Sequence, residues 1–580
     1  MGQLWQDLRF GIRTISKDRG FFFASVLALA LGIGSTTAIF SVIYNVLLDP
    51  FPYTNSDRIF GFDIRDRSSG REFGRNGLSI PEFLDYREKN RVFERSMGVW
   101  EESVIMGDTS SPELFDCDTV TGNTFQFLGV RPLFGRGIEP SDAVAGAPPV
   151  FVLSYKAWRR RFGMDPSIVG KTYVLNGKPT TLIGIMPRRF TFWGGEMWMP
   201  ASVDRSETGA AQRRLVLYGH LKPDLDRKAA ESDLKVLAEQ LSKVYRDDYP
   251  KQFDVHMMSL GEIAFGRIQG TLIALLAAVA LLLLIACANV ANLLLAKATT
   301  REKELALRIT LGAGRFRVIR QLMAENVVLA FAGAALGCFL AWLGLKGLIN
   351  LVPLYTFPDE ADIRLNTPVL LATLATAMMT AFIFGLAPAL TASRSGLNEA
   401  LKSGTRGNSG FRRARLRNVL IVGEVALSLL LLSASGLLMR SFFVERQEEV
   451  GIRSERLLIT SLRFPPKLYQ NMESQARFLR ELLPRLERLP GVVSAAGAFT
   501  FPPNGGVGTE FEVASLTHSE RWRGYVTPCS QEFFETAGLR MVAGRLPTVG
   551  DEEGHRKVAV INQSMATKYF GGENPIGRGL

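Results

Sequence analysis

Cysteine and histidine are scarce in this chain, with four of each among 580 residues. Cys117, Cys287, Cys338 and Cys529 are far apart, no pair has CxxC spacing, and two of them (Cys287 and Cys338) fall inside apolar runs. That pattern argues against a disulfide framework and against a thiolate zinc site. His220, His256, His518 and His555 are isolated and read as surface or satisfied histidines, which argues against metal catalysis. No Ser/His/Asp or paired-carboxylate constellation stands out, so no catalytic, cofactor-binding or metal-ligating residue is assigned. A phosphate loop is also missing. Gly170-Lys171-Thr172 has the tail of one, but the glycine required five positions before Gly170 is Asp165. Acidic residues are in deficit, 56 against 68 basic, for a formal charge of +12.

Apolar sequence is plentiful, at 47% with a mean hydropathy of +0.11, and it is gathered into runs rather than spread as one core would require. The first run, Phe21–Leu48, is longer than the ~7–15-residue core of a secretory signal and lacks an A-x-A cleavage site, so it reads as a retained anchor. Others cover about Gly270–Ala296, Asn326–Leu348, Val369–Ala392 and Val419–Leu438. Each reaches or approaches the roughly 20 residues that carry a helix across hydrocarbon.

Positive charge sits beside these runs. Arg9, Arg13, Lys17 and Arg19 precede the first. Lys297, Arg301, Lys303, Arg308, Arg315, Arg317 and Arg320 lie between the second and third, and Arg394, Lys402, Arg406, Arg412, Arg413, Arg415 and Arg417 between the fourth and fifth. The third-to-fourth connection instead carries Asp359, Glu360 and Asp362 against Arg364. If all five runs cross, the three basic segments and the N-terminus share the cytoplasmic side of a bacterial inner membrane. The partner implied by the charge is then anionic lipid, with no nucleic acid.

The expected fold class is a polytopic α-helical membrane protein with extracytoplasmic α+β domains. Residues 1–20 form a cytoplasmic amphipathic helix, with Leu4, Leu8, Ile12 and Ile15 at helical intervals. Residues 21–48 are the first span, 49–267 an outer domain, 270–392 a three-helix membrane domain, 393–418 a cytoplasmic link, 419–439 the fifth span and 440–580 a second outer domain. Inside the first outer domain, Lys171–Pro187 reads as two β runs around the turn Asn176-Gly177, and Arg227–Tyr245 as a helix.

The outer segments look duplicated. Gly129, Arg131, Gly135 and Arg136 match Gly538, Arg540, Gly544 and Arg545 at one offset (538 − 129 = 409). Val150–Lys171 parallels Val558–Arg578: a β run, a helix ending in aromatic-Gly, then a Pro/Ile-Gly-basic turn. Internal repeats suggest pseudo-symmetric halves, and by that logic the chain stops inside the second outer domain.

Three polar groups stand within or beside the spans. Asn289 and Asn292 lie one turn apart in the second, and Glu424 a few residues into the fifth. Such groups mark transport paths in some proteins, but more often they bond neighbouring helices. Between the second and third runs, Thr299 and Thr300 start a short charged segment that the Gly312-Ala313-Gly314 break ends. A short charged helix between two spans suits a push from a soluble partner; the blander reading is a solvated basic loop.

"ANVANLLLA", the charged "REKELALR" and "LGA" together resemble the link of FtsX-domain permeases. Gly32–Tyr53, Phe384–Gly407, "TLIGIMP" and "NPIGRGL" resemble other parts of MacB-like permeases, including the MacB-like periplasmic core domain. The chain is thus similar to the MacB/FtsX-type ABC transporter permease family, and in its duplicated layout to orphan permeases of acidobacteria, apparently truncated. MacB itself carries an N-terminal ATPase domain, whereas only about twenty residues precede the first span here. The resemblance implies a permease subunit without a cofactor or ATPase motif of its own, driven by a separate cytoplasmic ABC ATPase, with a periplasmic or outer-membrane partner as a further option. It also implies mechanotransmission, with Arg301, Glu304, Arg308 and Gly312 as candidate ATPase-coupling residues. The alternatives are direct efflux of an amphiphile, and an FtsX-like regulator of a cell-wall hydrolase that transports nothing.

Overall fold

The first apolar run carries no charge between Arg19 and Asp49. With no water to take its backbone hydrogen bonds in a bilayer, such a run satisfies them internally as a helix. The computed structural model describes residues 19–67, 74–107, 112–206, 213–300, 315–351, 360–394 and 409–447, and, in shorter stretches, much of 452–579. The run forms α1 (Arg19–Ile43), which ends in a π-helical turn over Tyr44–Leu48 just before Pro50.

The chain then builds an α+β domain. Its elements are β1 (Ile59–Asp66), β2 (Gly77–Ser79), α2 (Ile80–Lys89), β3 (Phe93–Met106), β4 (Glu113–Thr121), α3 (Thr124–Leu128), β5 (Phe134–Gly135), β6 (Val150–Leu153) and α4 (Tyr155–Arg161). They continue as β7 (Thr172–Leu175), β8 (Lys178–Ile185), β9 (Met197–Ala201), β10 (Arg214–Leu221), α5 (Arg227–Leu241) and β11 (Phe253–Ser259). The strands form one mixed sheet in the order β11-β1-β10-β3-β4-β9-β6-β8-β5, with β2 on β10, and β7 bridging β3 and β8. Asn176 and Gly177 both take positive φ, 48° and 75°, and close the expected β7–β8 hairpin, whose twist favours such turns. The expected helix from Arg227 ends at Leu241 rather than Tyr245.

The membrane helices follow: α6 (Leu260–Thr300), α7 (Arg315–Leu351), α8 (Thr367–Arg394) and α9 (Ser409–Gln447). Among the described residues, four stretches are long and apolar enough to cross a membrane: Arg19–Leu48, Ile268–Leu294, Ile319–Leu348 and Ile421–Ser441. The run expected at Val369–Ala392 falls in α8, which is apolar over Thr367–Phe382; its side chains beyond that point lie outside the described residues. The N-terminal amphipathic helix expected over 1–20 lies almost wholly outside them too.

α1 packs against the other helices through small residues. A Cβ on Gly34 would sit 2.8 Å from the Gly337 carbonyl oxygen of α7, and one on Gly32 would sit 3.0 Å from the Ala286 Cβ of α6. Backbones this close gain dispersion contacts that lipid does not offer. Thr37 of α1 hydrogen-bonds Thr373 of α8 at 3.0 Å. Around these contacts Leu29, Ile33, Cys287, Leu329, Ala334 and Ala377 form a buried core.

The unit from Gly436 onward contains α10 (Met472–Glu487), the hairpin β12 (Val507–Phe511) and β13 (Trp522–Val526), α11 (Phe533–Thr536) and α12 (Gln563–Phe570). Repetition is visible in its details. In the first copy Arg136 forks onto Asp142 at 2.6 and 2.8 Å, Nη1 also donates to the Gly137 carbonyl at 3.0 Å, and the Glu139 N–H donates to Asp142 at 2.9 Å. In the second, Arg545 forks onto Asp551 at 2.5 and 2.7 Å, Nη1 donates to the Leu546 carbonyl at 3.1 Å, and the Thr548 N–H donates to Asp551 at 2.9 Å. Ser154 and Asn562 cap α4 and α12 alike, accepting from Ala157 and Met565 N–H at 3.2 and 2.9 Å. One expectation fails: Val558–Ile561 is not a strand. A strand exists by its ladder, and the neighbours that hold the equivalent β6, namely β8 and β9, have no counterpart among the described residues of the second unit.

Candidate functional site at the base of the α+β domain

The core at the base of the α+β domain continues into the membrane helices. Phe51, Tyr53, Phe190, Phe192, Trp198 and Tyr218 share it with Val46 beyond α1, Leu272 of α6 and Leu345 of α7. Tyr53 meets Phe190 and Phe192 edge-on, each at 5.8 Å, an arrangement the ring quadrupoles favour.

Polar groups are threaded through this apolar base. The Tyr53 hydroxyl donates to Glu360 Oε1 at 3.0 Å, and both residues are buried. Arg189, in the turn after β8, donates from Nε to the Glu360 carbonyl at 3.1 Å, and from Nη2 to the Asp49 and Pro50 carbonyls at 2.9 and 3.3 Å. Burial, followed by the Glu360 carboxylate, pushes the Tyr53 phenol above its ordinary value and keeps it a donor, with Arg189 opposing. Asp118 on β4 is only 2% exposed, and its Oδ2 has no hydrogen-bond partner among the described residues. Burial and then the charge of Glu101 push its carboxyl up to about 8; Asp116 and Glu360 add to this, and the Gly195 backbone N–H opposes it. Asp118 is therefore largely protonated at neutral pH.

On the membrane side, Ser41 Oγ and Asn45 Nδ2 both donate to the Arg364 carbonyl, at 2.8 and 3.0 Å. Asn366 Nδ2 donates to Asn45 Oδ1 at 3.1 Å, while its Oδ1 caps α8 by accepting from the Val369 N–H at 3.2 Å. Among its described residues the site holds no nucleophile poised beside a base. Its chemistry is attachment: it ties the outer end of the first span, the 360–366 connection and the base of the sheet together.

The sequence-assigned coupling residues Arg301, Glu304, Arg308 and Gly312 lie outside the described residues. Asn289 and Asn292 are on α6, and Glu424 is on α9. Asn292 Oδ1 is buried without a hydrogen-bond partner among the described residues. Gly170-Lys171-Thr172 is a turn into β7, where Thr172 and Thr181 hydroxyls meet at 3.1 Å. His220 stacks on Phe127 at 4.1 Å and donates to the Thr54 carbonyl at 3.2 Å, and burial pulls its imidazole below the ordinary value. All four cysteines are free. The base site is not visible in the sequence, where Glu360 contributes only to a charge asymmetry, and nothing there marks Glu325, which is buried in the third span.

The family model of the MacB-like periplasmic core domain matches residues 22–237 and 420–580. The chain belongs to this MacB-like family. The model of the FtsX-like permease C-terminal matches 276–397, the membrane helices between the two outer segments. The protein is thus a MacB/FtsX-type membrane permease with extracytoplasmic α+β domains. Among relatives, the macrolide export ATP-binding/permease protein MacB of Chromobacterium violaceum is 28% identical over 48% of this chain and 42% of its own length. The ABC transporter permease YknZ of Bacillus subtilis is 26% identical over 49% of this chain and 70% of its own. The chain therefore spans less than half the length of that MacB. The crystal structure of the periplasmic region of MacB from Actinobacillus actinomycetemcomitans matches at 16% identity and a TM-score of 0.28, covering 37% of this chain and 94% of that one.

Proposed function

We propose that this MacB-like chain is the membrane subunit of an ABC transporter, in which a separate cytoplasmic ATPase moves the extracytoplasmic domains to export or extract an amphiphilic substrate. The observation that carries this reading is the junction of β11 and α6. Strand and helix adjoin at Ser259 and Leu260 with no linker, and α6 then runs 41 residues, about 60 Å. A push on its inner end thus reaches the sheet without a flexible joint. The inner end leads to Arg301, Glu304 and Arg308, whose successive spacings of three and four would put them on one face of a helix, and these are the proposed ATPase contacts, with Gly312 after them in the sequence. The chain has no nucleotide motif, and hydrolysis is assigned to the partner.

Two experiments test this. Reporter fusions at Gly107 and Gly404 are expected to report opposite compartments, the first outside; the same compartment for both refutes the topology. Charge reversal at Arg301, Glu304 and Arg308 together is expected to cut co-purification of the ATPase at least about tenfold while membrane insertion is unchanged, because like charges at an interface are penalised. Wild-type co-purification with wild-type stimulated turnover overturns the coupling assignment, and capture of a cell-wall hydrolase by the outer domains without substrate-stimulated turnover favours the FtsX-like regulator instead.

A further inference from the structure

Residues 360–366, the described part of the connection between α7 and α8, are held at two points by other parts of the molecule. At Glu360 the side chain accepts from Tyr53 and the carbonyl from Arg189. At Arg364 the carbonyl accepts from Ser41 and Asn45, and Asn366 bonds Asn45 in turn. Between these points Ala361, Ile363 and Leu365 face the base core on alternate residues. Fixed at two places and packed along one side, a seven-residue segment has little freedom to bend by itself.

Arg189 is the group on which the outer end depends. Its guanidinium reaches three carbonyls that belong to two separate segments, Asp49–Pro50 and Glu360. A planar fork with five fixed donors can do this; the point charge of a lysine cannot hold the same spread of acceptors. We propose that Arg189 is a positioning residue that makes 360–366 a strut, so that displacement of α8 reaches the base of the α+β domain by a second route beside α6. The proposal rests on the reading that these helices move during ATP turnover.

The test uses the full chain with its ATPase in nanodiscs, comparing wild type, Arg189→Ala, Arg189→Lys and Tyr53→Phe by hydrogen exchange, with and without ATP and vanadate. In Arg189→Ala, amides 361–366 are expected to exchange at least about tenfold faster, with Arg189→Lys intermediate and Tyr53→Phe changed only a few-fold. The nucleotide-driven exchange change at β9 and β11 is expected to fall by half or more in Arg189→Ala, with ATPase co-purification retained. Unchanged exchange over 361–366 in Arg189→Ala overturns the strut. So does faster exchange there combined with a wild-type nucleotide response at β9 and β11, and in that case the proposed function survives. If the wild type shows no nucleotide response in the outer domain, the proposed function falls and takes the strut's role with it. Should Arg189→Ala fail to insert, Arg189→Lys and Tyr53→Phe give the same ordering of effects.

Discussion

Arg136 and Arg545 each fork onto an aspartate six residues further on, with backbone partners at equivalent positions. Yet the first clasp follows an edge strand of an eleven-stranded sheet, whereas the described sheet of the second unit has two strands. The clasp needs only residues within seven positions, so the sequence signature is enough to make it wherever it occurs. A sheet needs partners brought from far along the chain. The difference between the copies separates what is encoded locally from what requires the assembled domain.

The largest expected contrast lies at a repeated glycine. Gly135 and Gly544 both sit at positive φ, 72° and 86°, but a Cβ on Gly135 would overlap the Ile183 carbonyl oxygen, while one on Gly544 would meet only the Ile576 side chain at 3.6 Å. Gly135→Ala is expected to cost more than about 3 kcal/mol, since backbone must move, and Gly544→Ala about 1–2 kcal/mol from left-handed strain alone. Pulse proteolysis of the full chain in detergent, following fragments of each domain, measures both. Equal losses would mean that the two turns are packed alike.

A second contrast is electrostatic. Asp118 has Thr527 at the equivalent position (118 + 409 = 527), so only the first copy buries a carboxyl there. Its folded pKa of about 8 lies above the ordinary carboxylate value. The first domain is therefore unpenalised below about pH 4, and it loses stability as pH rises towards 8. Asp118→Asn is expected to stabilise the first domain by on the order of a few kcal/mol at pH 8 and to be nearly neutral at pH 4. A pH-independent effect would show that Asp118 is not held protonated.

The smallest effect concerns the clasps themselves. Hydrogen bonds from Arg136 and Arg545 hold the Asp142 and Asp551 carboxyls below their usual range. The folded pKa is depressed in both, so each clasp stabilises above about pH 4 and is lost as pH falls below that. Asp142→Asn is expected to cost under about 1 kcal/mol, the partner arginine being half exposed. Asp551→Asn is likewise expected to weaken its own domain above about pH 4 and to have little effect below it, by the same proteolysis. Acid sensitivity in one copy only would break the equivalence.

Much of this architecture was legible in the sequence, for identifiable reasons. Hydrocarbon forces helices, so the runs at Phe21 and Gly270 announced α1 and α6. Asn176-Gly177 names its own turn, and the 409-residue offset pairs Arg136 with Arg545, although nothing in it says that each arginine binds an aspartate six residues further on. The base site was not legible. Tyr53 and Glu360 stand 307 residues apart, and neither periodicity nor charge pattern says which distant side chains will meet. Asp118 lies in "FDCDTV", where alternation leaves its neighbours on the next strand unspecified, and its pairing with Trp198 across parallel strands is a matter of topology.

The ladder of β11 against β1 sets a limit on how the long helix can move. Seven consecutive pairs, from Phe60 opposite Ser259 to Asp66 opposite Phe253, fix the strand that α6 extends. Because side chains alternate faces, slipping one residue would turn Val255 and Met257 out of the core, so the smallest tolerable slip is two residues, about 6.8 Å. Any shorter stroke of α6 cannot be absorbed as sliding at the sheet edge. On the proposed function, such a stroke would move the sheet with the helix rather than slip along it.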